Sequence, residues 1–179
     1  MKPKTDFSVH LCIYPKPLKS RALAQPKTDF SMVLGIIVDT ELVAIKLDKI
    51  MQSKAYTCIV LGTDEKKFAI YTDLGSGQAM QKFLTESENP RPLTHDLINM
   101  IFRGYDIKIR QIVINDLQDT VYFARIYLEQ KMGDILHILE IDARPSDCIA
   151  LAITHKPPLY CAREVFEKTV PLIEEWSST

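Results

Sequence analysis

Cysteine is sparse and scattered. Cys12, Cys58, Cys148 and Cys161 stand far apart, with no C-x-x-C pair and no histidine at zinc-finger spacing, which excludes a zinc module and a disulfide framework. Three of the four lie in apolar runs, so they read as buried thiols in a reducing cytoplasm, with no thiol nucleophile in view. No stretch approaches the ~20 consecutive apolar residues of a membrane span, and the N-terminus lacks the apolar core of a signal peptide. A soluble, cytoplasmic protein without a membrane partner is expected. Only six glycines occur, and Gly75-Ser76-Gly77 is too short to serve as a glycine-rich phosphate loop. Net charge is scarce too, at −1 for the whole chain. Residues 1–31 carry six Lys/Arg against two Asp, and the remainder sixteen against twenty-one. A folded part with an acidic excess does not offer the broad cationic surface of a duplex binder, so any nucleic-acid contact is local, transient or metal-assisted.

What is present suffices for one core. The 179 residues, 46% of them hydrophobic, predict a single domain. Residues 1–31 read as a Pro- and Lys-rich tail with a possible short strand over Val9–Tyr14, residues 32–170 as the domain, and 171–179 as a C-terminal tail. The tail holds a literal repeat, Pro3-Lys4-Thr5-Asp6-Phe7-Ser8 and Pro26-Lys27-Thr28-Asp29-Phe30-Ser31, which fits a local duplication, an upstream start, or a short docking motif.

Strand patterns follow at Met32–Val38, Leu42–Leu47, Tyr56–Gly62 and Lys66–Thr72. The loop 73–77 then leads to a helix over Gln78–Leu84, and after the loop Glu86–Pro90 a helix starts at Thr94 and ends near Gly104. The order then begins again. Strands are predicted at Ile107–Ile114 and Val121–Gln130, joined by a turn over Asn115–Thr120, and at Ile135–Ile141; a helix spans Ser146–His155. Leu159–Ala162 is a short strand and Arg163–Lys168 a short helix. In both halves a strand ends in Asp, Asp73 or Asp142, and a helix opens a few residues later. The pattern predicts an α+β fold of duplicated strand-strand-strand-helix units, with mixed or antiparallel sheet flanked by helices.

Two helix starts concentrate the chemistry. Arg91-Pro92-Leu93-Thr94-His95-Asp96-Leu97 sets a guanidinium, a hydroxyl, an imidazole and a carboxylate before the apolar run Ile98 to Phe102. Asp142-Ala143-Arg144-Pro145-Ser146-Asp147 repeats the theme before Cys148 to Ile153. Thr94 and Ser146 are read as the N-caps, and a helix N-terminus is where anions bind.

These two strings, Pro90 to Leu97 and Ile141 to Ala152, closely resemble the bifunctional nuclease domain family, and the resemblance runs over roughly residues 33–170. It implies a compact α+β domain that self-associates as a homo-oligomer and degrades both DNA and RNA. The chain departs from the family pattern at one point. Where members carry a Glu shortly before the first helix, Ser76 stands here, and Asp73 is the carboxylate left to take that role.

Phosphodiester hydrolysis needs an activated water, stabilisation of phosphoryl charge and help for the leaving oxygen. His95 is the candidate general base or acid. Asp96, Asp142 and Asp147 are candidate catalytic carboxylates that would hold a divalent metal, Mg²⁺ or Mn²⁺. Arg91 and Arg144 are phosphate clamps, with Thr94 and Ser146 orienting them. A purely structural account also fits most of these positions. Carboxylates are favoured in a helix's first turn by ~0.3–1 kcal/mol, and hydroxyl caps contribute ~1 kcal/mol. Arg91 and Arg144 could pair with Asp142 and Asp96 across the halves. A non-catalytic module that binds an anion, a nucleotide or an acidic partner is therefore the alternative function. His10, His137 and His155 look incidental, and Tyr122, Phe123 and Tyr127 read as core packing before base stacking.

Overall fold

A computed structural model describes residues 9–15, 41–85 and 91–172. The expected strand at Met32–Val38, the repeated hexapeptide and the loop Glu86–Pro90 lie outside them. The elements are β1 (Val9–Pro15), β2 (Leu42–Gln52), β3 (Thr57–Gly62), β4 (Lys67–Thr72), α1 (Leu74–Leu84), α2 (Thr94–Gly104), β5 (Ile107–Gln118), β6 (Val121–Met132), β7 (Ile135–Ala143), α3 (Pro145–His155), β8 (Leu159–Ala162) and α4 (Arg163–Lys168). The eight strands of the described residues form one sheet in the order β1-β7-β6-β5-β8-β2-β3-β4.

The duplicated unit is real: β2-β3-β4-α1 and β5-β6-β7-α3 are each an antiparallel meander followed by a helix. Short β8 joins the two meanders, antiparallel to β2 and parallel to β5, which makes the sheet mixed. The expected strand near Val9 is β1, which adds to the outer edge of β7.

Element ends differ from the sequence expectation for local reasons. β2 runs on to Gln52 because a register shift between Leu47 and Lys49 resets the alternation that appeared to lapse at Asp48. Two such shifts in β5, at Ile109/Gln111 and Ile114/Asp116, hide its continuation to Gln118. The expected turn over Asn115–Thr120 shrinks to Asp119 and Thr120, with Asp119 at φ 56°. The stretch 74–77, expected as loop, is the first turn of α1, for reasons that lie in Asp73 and in Gly77.

A Cβ on Gly77 would stand 1.9 Å from Thr57 Oγ1, so only glycine lets α1 lie this close to β3. The core lies between the sheet and the helices. Ile59, Leu61 and Phe68 of the first meander, Ile112 and Ile114 of the second, and Met80 and Ile149 from α1 and α3 are fully buried there. Truncating one of these aliphatic residues to alanine would cost about 2–5 kcal/mol. Burial also explains the thiols. Cys58, Cys148 and Cys161 are free and buried, and burial pushes the last two up to about 12, which keeps them protonated and inert. Tyr122 stacks on Phe68 and Tyr127 is buried, so both pack as expected of structural rings. No helix among the described residues is long and apolar enough to cross a membrane.

Candidate functional site

Three helix starts meet at one end of the helical layer. Asp73, the residue after β4, is the N-cap of α1: its Oδ1 accepts the Ser76 N–H at 2.8 Å and its Oδ2 accepts the Ser76 hydroxyl at 2.8 Å. The Ser76 backbone bond, followed by its hydroxyl, holds the Asp73 carboxyl below the usual carboxylate range. Ser76 thus serves to fix Asp73.

The caps of α2 and α3 are corrections to the sequence expectation. Leu93, not Thr94, is the N-cap of α2, and a leucine side chain accepts nothing. The end is secured from the other side, where Asp96 in the first turn accepts the Leu93 N–H at 2.8 Å. Thr94 is exposed at the first helical position. In α3 the N-cap is Arg144, with Pro145 at the first helical position, where its missing N–H costs nothing. Ser146 lies one residue further in and is only 5% exposed. Asp147 then stands in the first turn, its position as favourable electrostatically as that of Asp96.

Arg144 folds forward over its own helix. Its Nε donates to Asp147 Oδ2 at 3.0 Å and a terminal nitrogen donates to Oδ1 at 3.2 Å, a two-pronged bond. The other terminal nitrogen lies 3.9 Å from Asp73 Oδ2. The cross-half pairing expected for Arg144 with Asp96 is therefore replaced by pairs with Asp147 and Asp73, because Asp96 is engaged by the backbone of α2.

His95, on the second helical position of α2, brings Nε2 to 3.6 Å from Asp147 Oδ1. This is longer than a hydrogen bond and close enough for a charge contact. The ring meets Phe83 edge-on at 6.0 Å, and the side chain is 16% exposed. His95 foremost, then Arg144, hold the Asp147 carboxyl down to about 2, against the opposing effect of partial burial.

The structure thus brings together His95, Asp147, Arg144 and Asp73. The other candidates stand apart. Asp142 is exposed on β7 opposite Arg125, whose guanidinium bonds Glu140. Its neighbour Ile141 packs on the core, so alternation turns Asp142 toward the other face. Arg91 is exposed before α2, with no bond tying it to the cluster among the described residues. Among the described residues no three His, Cys, Asp or Glu side chains gather as metal ligands. Arg144 bonds both oxygens of Asp147, the Leu93 N–H bonds Asp96 Oδ2, and Asp142 is elsewhere. As placed, the described donors do not converge on one point where a resident metal would sit. Phe83 was not singled out from the sequence, where nothing distinguishes it from any apolar helix residue. His155, which looked incidental, bonds Asn99 Oδ1 through Nε2 at 2.8 Å and ties α3 to α2.

Comparison with known proteins bears on this arrangement. Residues 59–172 match the bifunctional nuclease domain, a span that contains Asp73, His95, Arg144 and Asp147. An uncharacterised protein of Mycobacterium tuberculosis (strain H37Rv) is 31% identical over 90 residues, which are 50% of this chain and 51% of that protein. Bifunctional nuclease 1 of Oryza sativa subsp. japonica is 26% identical over 76 residues, 42% of this chain and 23% of the rice protein. The chain aligns with about half the length of the mycobacterial relative and less of the plant one. With nearly two thirds of its length matched to that domain, the cluster included, the chain belongs to the bifunctional nuclease domain family.

Proposed function

We propose that the meeting point of α1, α2 and α3 hydrolyses phosphodiester bonds of DNA and RNA. The observation that carries this is the contact of His95 with Asp147 at 3.6 Å, since neither helix needs an imidazole for its own stability. With Nε2 turned to Asp147, Nδ1 is the nitrogen left to take a proton from water. The water oxygen bonds to phosphorus, the bond to the leaving sugar oxygen breaks, and that oxygen receives a proton from the imidazolium or from solvent. Asp147 steadies the imidazolium while the proton is held. Arg144, 65% exposed, presents guanidinium N–H groups to the non-bridging oxygens, and Asp73 positions it. Mg²⁺ or Mn²⁺ belongs to this proposal only as a companion of the substrate phosphate. Self-association is part of the same reading and is supported by the exposed row Leu97 and Ile101 on α2 and Tyr105 just beyond it. The free thiols suit a reducing, cytoplasmic setting.

A second reading, a module that binds without reacting, is favoured by one feature: Arg144 already faces two carboxylates and is partly neutralised. The test is His95→Ala, purified in parallel with wild type and a mock preparation. Hydrolysis of both RNA and DNA should fall by ~10²-fold or more in a variant that still folds. Equal rates remove His95 from the chemistry, and wild-type rates no higher than the mock favour the binding module.

A further inference from the structure

A groove of about 430 Å³ opens where α1, α2 and α3 pack together. Lys82 from the last turn of α1, Arg103 from the last turn of α2, and Lys156, which ends α3 at φ 52°, all line it. Among the described residues, the one carboxylate in the lining is Asp96, engaged by the Leu93 N–H. A helix C-terminus favours a cation, which gives each of the three a reason to sit at its own helix end. It gives none for the three to face one cavity, in a folded part whose overall charge is acidic.

The groove adjoins the cluster at Phe83. Leu93 and Asp96 lie at the start of α2, and Phe83 touches the His95 ring. Lys82 and Lys156 occupy the far ends of α1 and α3 from Asp73 and Arg144, on the order of 14 Å away or more at 1.5 Å of rise per residue. That separation exceeds one phosphate. Phe83 and Met100 add apolar wall among the cations, the pairing of charge and flat contact that holds single strands.

We propose that this groove is a subsite for backbone phosphates of a single-stranded nucleic acid that flank the reacting one, bound by Lys82, Arg103 and Lys156. The proposal rests on the nuclease reading above. Its test uses the full chain with Arg103→Glu/Lys156→Glu, a fluorescein-labelled single-stranded dodecamer and a dinucleotide. For the dodecamer KM should rise roughly 10-fold or more at unchanged kcat, and the slope of log Kd against log salt should fall by about 1.4, two single-strand phosphates' worth. The dinucleotide, too short to reach the groove, should show no change, and Arg103→Lys should keep wild-type KM. If the charge-reversed variant fails to fold, Arg103→Gln/Lys156→Gln is measured in the same way.

Wild-type KM and salt slope in a variant that still cleaves would overturn the groove and leave the nuclease reading standing. If wild type cleaves nothing above a mock preparation, the nuclease reading falls and anisotropy decides the groove alone. Weakened dodecamer binding in the variant then supports it; equal binding, or none by wild type, overturns it.

Discussion

His95 and Asp147 stand on the first turns of two different helices, and their side chains meet 3.6 Å apart at the carboxylate that Arg144 also bonds. Asp147 therefore has two neighbours that answer differently to substitution. In Asp147→Asn the amide oxygen still accepts one bond from Arg144, so the start of α3 persists. The charge beside His95 is lost. Hydrolysis should drop by on the order of 10²-fold in kcat, with KM changed little. A variant with wild-type kcat would show that Asp147 only braces Arg144.

Asp73 allows the complementary measurement. Asn caps helices as well as Asp does, so Asp73→Asn should keep α1 and its Tm. The loss of a carboxylate near Arg144 leaves that guanidinium more positive, and KM should stay level or fall while kcat holds within roughly threefold. A loss of more than about 10²-fold in kcat would instead assign Asp73 the part that the family's Glu has before the first helix.

Manganese supplies a third check. A metal that binds the native state raises Tm by mass action. Asp147, Asp96 and Asp142 do not gather into a three-ligand set, and none occurs among the described residues. Millimolar Mn²⁺ without nucleic acid should therefore leave the melting curve unmoved. A rise of several degrees would reveal a metal site that these side chains rearrange to make.

The duplicated meander-plus-helix order and both chemically dense helix starts were legible in the sequence, because strand alternation and polar clusters before apolar runs are local signals. What was not legible depends on partners far away in the chain. Gly75 and Gly77 mark a loop by propensity, yet Asp73 caps a helix there and Thr57 needs the space at Gly77. Thr94 and Ser146 look like caps, yet Asp96 and Pro145 secure the ends by other means. Arg144 has several possible carboxylate partners on paper; only the packing of α1 beside α3 selects Asp73 and Asp147.

The Gly77 contact is testable by itself. Gly77→Ala places a methyl carbon 1.9 Å from Thr57 Oγ1 and should destabilise the fold by about 1–3 kcal/mol, as overpacking does, although alanine is the better helix former. Thr57→Ala removes two of the three obstructing atoms, Oγ1 and Cγ2, and leaves only Cβ, at 2.7 Å. The hydroxyl it deletes is buried with no hydrogen-bond partner, so its loss leaves nothing unsatisfied. The double variant should thus recover stability beyond the sum of the single effects, measured by urea unfolding as a double-mutant cycle. Additive effects would mean that α1 shifts away from β3 instead.

Acid stability tests the electrostatics without any assay of activity. Asp147 titrates at about 2 in the fold against 3.8 in an open chain. A depressed folded value means that the unfolded state takes up the proton first, so the stabilisation is complete above about pH 4 and lost as pH falls through the folded value. In a dry site a shift of this size would correspond to about 2 kcal/mol. Asp147 is 37% exposed, and screening reduces that to roughly 1 kcal/mol. His155 responds in the same sense but at higher pH: burial, then Arg103, lower it below 6.5, so its contribution is already declining as pH drops below 6.5. That decline is common to wild type and Asp147→Asn and cancels in their difference. Urea unfolding at pH 5 should therefore find the variant less stable by roughly 1 kcal/mol, and the gap should close between pH 4 and pH 2. A gap that persists unchanged to pH 2 would mean that Asp147 stabilises the fold by shape and not by charge, and the pairing with His95 and Arg144 would lose its energetic support.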